Sequence, residues 1–123
     1  MTEHKPYFNN ICREIIANSL FTERQTYIIS NRLAGKTVPE NISRGAYHRQ
    51  LKQCRNKITG VFYSLLLLKS IGAIDQQTLS TLVTLGDQLD VILSDKHSDI
   101  GEDKSVYNVM STLKRILKKM CNV

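Results

Sequence analysis

The stretch from Ser43 to Lys57 reads SRGAYHRQLKQCRNK and holds the side chains best suited to recognising phosphate and base edges. Arginine can make paired hydrogen bonds to guanine, and glutamine or asparagine can do the same with adenine. Serine and lysine can hold a phosphate. From Arg44 to Lys57 there is no acid at all. On a helix, residues three or four apart share a face. Arg44, His48, Arg49, Lys52 and Arg55 then lie away from an apolar row of Tyr47, Leu51, Cys54 and Ile58. The expectation is a basic strip about four turns long, which suits the major groove of duplex DNA. Arg44, His48, Arg49 and Lys52 are expected at the groove, and Lys36, Ser43, Arg55 and Lys57 at phosphates. The amino end of such a helix would add unpaired backbone amides for a phosphate.

Other chemistry is thin. His4, His48 and His97 are not spaced to share a metal. The acidic run DKHSDIGED around His97 misses the calcium-loop pattern. There is no glycine-rich phosphate loop, and no nucleophile motif links the serines, histidines and aspartates. Cys12, Cys54 and Cys121 are odd in number and far apart, so reduced thiols are expected. The expectation is a protein that is not an enzyme and holds no cofactor and no metal.

Charge is distributed unevenly along the chain. The formal net charge is +6, from 17 Lys and Arg against 11 Asp and Glu. Six basic residues and one acid, Glu40, lie between Lys36 and Lys57. Seven acids and one base, Lys96, lie between Asp75 and Asp103, and four bases follow from Lys114 to Lys119. The acidic part is expected to face away from a polyanion and could meet a basic partner. The opening MTEHKPYFNN has no apolar leader core, and VFYSLLLL is too short to cross a bilayer. A cytoplasmic protein is expected.

A chain of 123 residues fits one domain with its own core. The fold class expected is all-α, with five helices near residues 7–18, 23–34, 44–70, 76–94 and 103–121. Pro6 suits the first turn of the first helix, whose apolar face is Tyr7, Phe8, Ile11, Ile15 and Ile16. Thr22 and Gln25 have capping-box spacing, and Gly35 can stop the second helix. Ser43 can cap the third. Its apolar seam runs through Tyr47, Leu51, Cys54, Ile58, Val61, Leu65 and Leu68. The later turns are apolar nearly all round, so they should lie centrally in a bundle or be covered by a second subunit. Asp75 can cap the fourth helix. The last helix carries Val106, Met110, Leu113, Leu117 and Met120 on one face.

The segment from Phe21 to Ile58 resembles helix-turn-helix segments of prokaryotic, especially archaeal, transcription regulators. It is also similar to the last DNA-binding region of bacterial sigma factors. The likeness rests on Phe21, Thr22, Glu23, Arg24 and Gln25 at the opening, then Leu33 and Gly35. It continues with Ser43, Arg44, Tyr47, Arg49, Lys52 and Arg55 in the next helix. The link KTVPENI should form one helical turn or an extended connection. The resemblance implies a recognition helix beginning at Ser43 and Arg44. Residues 1–70 then form a DNA-binding part, with the helix-turn-helix-like element at 22–57. Residues 71–123 form a packing and dimerisation part of the same compact domain.

The resulting reading is a homodimeric regulator of transcription that binds double-stranded DNA. Its two recognition helices would lie about one DNA turn apart. The long helix and the last helix would supply the interface. A non-catalytic helical scaffold, an architectural DNA binder and an RNA binder remain the alternatives.

Overall fold

The computed structural model describes residues 9–94, 103–121 and 123. The chain is all-α, with five helices and no strand among the described residues. They are α1 (Asn10–Asn18), α2 (Glu23–Leu33), α3 (Arg44–Ser70), α4 (Gln76–Ser94) and α5 (Asp103–Met120).

The helix ends follow from local chemistry. Asn9 caps α1, its side chain accepting a hydrogen bond from the Cys12 amide at 2.8 Å. Pro6, Tyr7 and Phe8 lie outside the described residues. Thr22 accepts from the Gln25 amide, and the Gln25 side chain accepts from the Thr22 amide, both at 3.0 Å. This reciprocal pair satisfies two amides that the helix itself cannot. Ser43 caps α3 by accepting from the Ala46 amide at 3.1 Å. Asp75 caps α4 through the Thr78 amide at 2.8 Å.

Two helices stop at glycines in the left-handed region, Gly35 at φ 71° and Gly72 at φ 85°. At the first, the Lys36 amide reaches back to Asn31 O and the Gly35 amide to Arg32 O. At the second, Ala73 reaches Leu68 O and Gly72 reaches Lys69 O. Both are doubly bonded C-terminal turns that an L side chain would strain.

Among the described residues the core has two parts. Ile28 of α2, Ile42 of the link and Tyr47, Leu51 and Cys54 of α3 form one buried cluster. Ile11 of α1 and Met110 of α5 form the other, flanked by Ile15, Leu89, Ile92, Leu93, Val109 and Leu113. Each fully buried aliphatic side chain contributes about 2 kcal/mol. Helix α1 lies against both α2 and α5, so it bridges the two clusters. The last helix therefore directs Met110 and Leu113 into its own chain. The side chain of Val106 lies outside the described ones.

The link between α2 and α3 contains no helix. Residues 36–39 have no regular structure, and one turn follows, closed by the Ile42 amide on Pro39 O at 3.2 Å. Pro39 disfavours helical geometry at Val38, which packs on the first cluster instead.

Helix α3 spans roughly 40 Å at 1.5 Å per residue. Only its amino half is sunk into a core. Past Ile58, the seam residues Val61 and Leu65 are half-buried and the rest of the circumference is open. Within the chain these turns are not central to a bundle. No described helix is long and apolar enough to cross a membrane.

Candidate nucleic-acid interface

The strip on α3 is positioned by the residues on its opposite side. Tyr47, Leu51 and Cys54 are each less than 5% exposed and fix the rotation of the helix about its axis. The Tyr47 hydroxyl donates to Asn31 Oδ1 at 2.8 Å, deep between α2 and α3. Asn31 is the one buried polar residue among those described, at 5% exposure. A buried amide oxygen without a donor is costly, so this pair locks the two helices in one register. Cys54 donates weakly from Sγ to Gln25 O, and burial pushes its thiol pKa up. At the rim, Arg24 Nε donates to Gln50 Oε1 at 3.1 Å.

With the inward side fixed, Arg44, His48, Arg49, Lys52 and Arg55 are all exposed. They share the outward side of one rigid helix, spread over about three turns. The His48 ring meets the edge of the Tyr47 ring, with centroids 5.7 Å apart. Lys36 is exposed on the link, just after the α2 stop. Ser43 is exposed too. Its oxygen is already used as the cap acceptor, which leaves its O–H free to donate.

Lys57 does not join this strip. It is half-buried, and its ammonium donates to Leu20 O at 2.7 Å and to Gln25 Oε1 at 3.2 Å. The same ammonium sits 5.5 Å from the centre of the Phe21 ring. It clamps the α1–α2 corner onto α3. Spacing alone does not separate Lys57 from Arg55, since the two flank the Cys54 and Ile58 side equally, and its acceptors lie 32 and 37 residues earlier in the chain. Asn31 and Arg24 were likewise missed, because only the packing of α2 on α3 gives them partners.

No family model, curated protein or solved structure shows a significant match to this chain.

Other chemistry is sparse. No group of three His, Cys, Asp or Glu among the described residues is placed to hold a metal. The acidic run around His97 lies outside the described residues. An open groove of about 320 Å³ separates α4 from α5, lined chiefly by Leu85, Leu89, Ile92, Val109, Leu113 and Ile116. Its rim polar groups are Gln88, Asn108 and Thr112, none of which ionises. Asp87 and Asp90 are exposed on α4, in a part of the chain without the cations of α3.

Proposed function

We propose that the protein binds double-stranded DNA through the amino half of α3, as a regulator of transcription in the cytoplasm. The observation that carries this is the acid-free strip of Arg44, His48, Arg49, Lys52 and Arg55. These side chains are all exposed on a helix whose inward side is locked against α2. One helix fits the major groove, and a locked helix presents its reading groups without a large ordering cost. Arg44, His48, Arg49 and Lys52 take the groove. Lys36, Ser43 and Arg55 take phosphates. Lys57 acts from behind, by holding the corner that braces α3. The pairing of α2 and α3 around the link supports the helix-turn-helix resemblance in its two-helix part, with a turn in place of an intervening helix. The protein is proposed to act without catalysis, metal or cofactor.

Two substitutions separate reading from positioning. Arg55→Ala should weaken every duplex alike and lower the salt slope by about one charge. Arg49→Ala should cost roughly 1–3 kcal/mol, chiefly on the preferred site. Selection from a random duplex pool supplies that site. If no motif emerges and both variants lose affinity evenly, the protein is an architectural binder. Retention of RNA in preference to duplex would transfer the strip to RNA. Retention of neither at low salt would leave the helical scaffold reading.

A further inference from the structure

The outward side of α3 changes character along its length. The row His48, Lys52, Arg55 continues at steps of four and three into Thr59, Phe62 and Leu66. The row Arg49, Asn56 continues into Gly60, Tyr63, Leu67 and Ile71. One face of one helix is therefore basic over its amino half and apolar over its carboxyl half. The apolar half is open: Phe62 is 60% exposed, Tyr63 70%, Leu66 64%, Leu67 59% and Ile71 67%.

We infer that a second copy of this chain docks on the Phe62–Ile71 face of α3, so that the two basic halves diverge from the pair like a fork that holds a duplex between them. The fork rests on the DNA reading above, whereas the pairing rests on the exposed face alone.

Three observations select a second copy. The first is area. These side chains leave roughly 600 Å² of apolar surface on one half-helix, at or above the largest patch a typical monomer exposes. Burying all of it on two copies would give at most about 1,200 Å², the lower bound of a stable specific interface. The second is charge. From Ile58 to Leu68 the Tyr63 phenol is the one ionisable group, and the face carries a single charge at its far end, exposed Lys69. The third is period. The steps of four and three are those with which one helix packs on its equal.

The direction of the pair rests on the DNA reading, since charge repulsion by itself favours the antiparallel arrangement. Antiparallel pairing would send the two basic strips to opposite ends. Parallel pairing brings them near each other, and their mutual repulsion forces the amino halves apart. The strip's centre, near Arg49 and Lys52, lies about 24 Å from Leu66 along the axis. A duplex placed in the opening meets a basic face on each side and relieves the repulsion. DNA and pairing should then strengthen each other by the same factor. Two helices forking from a paired segment read adjoining half-sites, not half-sites one full turn apart.

Sedimentation equilibrium of the full chain at tens of micromolar tests the pairing. The expected mass is about 28 kDa, twice the 14.0 kDa chain. The dimer should tighten between 0.05 and about 0.5 M salt as the basic halves are screened. Tyr63→Glu with Leu67→Glu should give a monomer with unchanged helical circular dichroism, since both side chains are open in the single chain. Leu33→Glu, exposed at the α2 end, should leave the dimer intact. As a check that needs no charge in the face, a benzophenone side chain in place of Tyr63 should cross-link two copies on illumination, and one in place of Leu33 should not. A 14 kDa mass at every concentration and salt would overturn the inference. So would a dimer that survives the double substitution, or cross-linking from Leu33 but not from residue 63. DNA binding is read separately on the monomeric variant. Retained but weaker binding, with about half the salt slope, fits both proposals. A wild-type dimer that binds no duplex keeps the pairing and refutes the DNA reading.

Discussion

Replacing Lys57 by methionine removes the ammonium and keeps most of the aliphatic stem. The structure lets the cost be worked out contact by contact. Leu20 O loses a donor at 2.7 Å, but it is exposed and water replaces the lysine. Gln25 Oε1 loses one at 3.2 Å and still accepts from the Thr22 amide at 3.0 Å. Neither acceptor is left buried and unpaired, so the large penalty for an orphaned group does not apply. What remains is the net worth of two charge-assisted hydrogen bonds near the surface and a cation over Phe21. Together these come to about 1–2 kcal/mol. For a chain of this size that is a fall of about 5 °C in Tm. Thermal and urea unfolding followed by circular dichroism read this directly. Duplex titrations at several salt concentrations should show an unchanged salt slope, because the ammonium points at the α1–α2 corner. Arg55→Ala should do the reverse, lowering the slope by about one and leaving Tm within about 1–2 °C. A Lys57→Met chain of wild-type stability with a reduced salt slope would refute the reasoning.

Three further outcomes follow from the core and the caps. Tyr47→Phe leaves Asn31 Oδ1 buried without its donor and should cost about 1–3 kcal/mol, read as a lower urea midpoint at constant m. An aromatic disulfide reagent at mildly alkaline pH should modify exposed Cys121 promptly. It should modify Cys12 slowly and Cys54 only as the chain unfolds, since burial raises the pKa of both of these thiols. Asp75 has its pKa lowered, first by the Thr78 amide and then by the Thr78 hydroxyl. Its cap therefore adds stability that is present above an unfolded pKa of about 4 and is lost as pH falls through the lower folded value. Comparing wild type with Asp75→Asn from pH 7 down to pH 2 should show a gap that closes only in acid. A gap that widens there would reverse the sign.

The helices were legible because their signals are local. Thr22 with Gln25, Gly35, Ser43 and Asp75 each act within four residues of themselves, and the structure uses all of them as caps or stops. The start of α1 was less so. Pro6 drew attention, while Asn9, with its side chain on the Cys12 amide, is the cap described. The outward exposure of Arg49 and Lys52 follows from the period of Tyr47, Leu51 and Cys54 alone, whereas Arg44, His48 and Arg55 flank that seam and are exposed because no other helix covers them. Contacts across the chain were not legible. Nothing in sequence spacing pairs Asn31 with Tyr47 or Lys57 with Leu20. Nor did the apolar run from Val61 to Leu68 reveal whether it lay inside the chain. Periodicity reports that a face is apolar and does not report what covers it. The Met110 and Leu113 face of α5, expected at an interface, proves to be covered by α1.

The central claim is that the exposed strip of α3 holds duplex DNA. Fluorescence anisotropy of a labelled duplex, titrated with the full chain between 50 and 200 mM salt, tests it most directly. Lys36 and Arg55, the cations assigned to phosphates, should contribute a slope of log affinity against log salt of about −1.8 per chain. Replacing Lys36 and Arg55 together by alanine should bring it close to zero. Binding that is absent at 50 mM salt, or that is unchanged by the double substitution, would contradict the account.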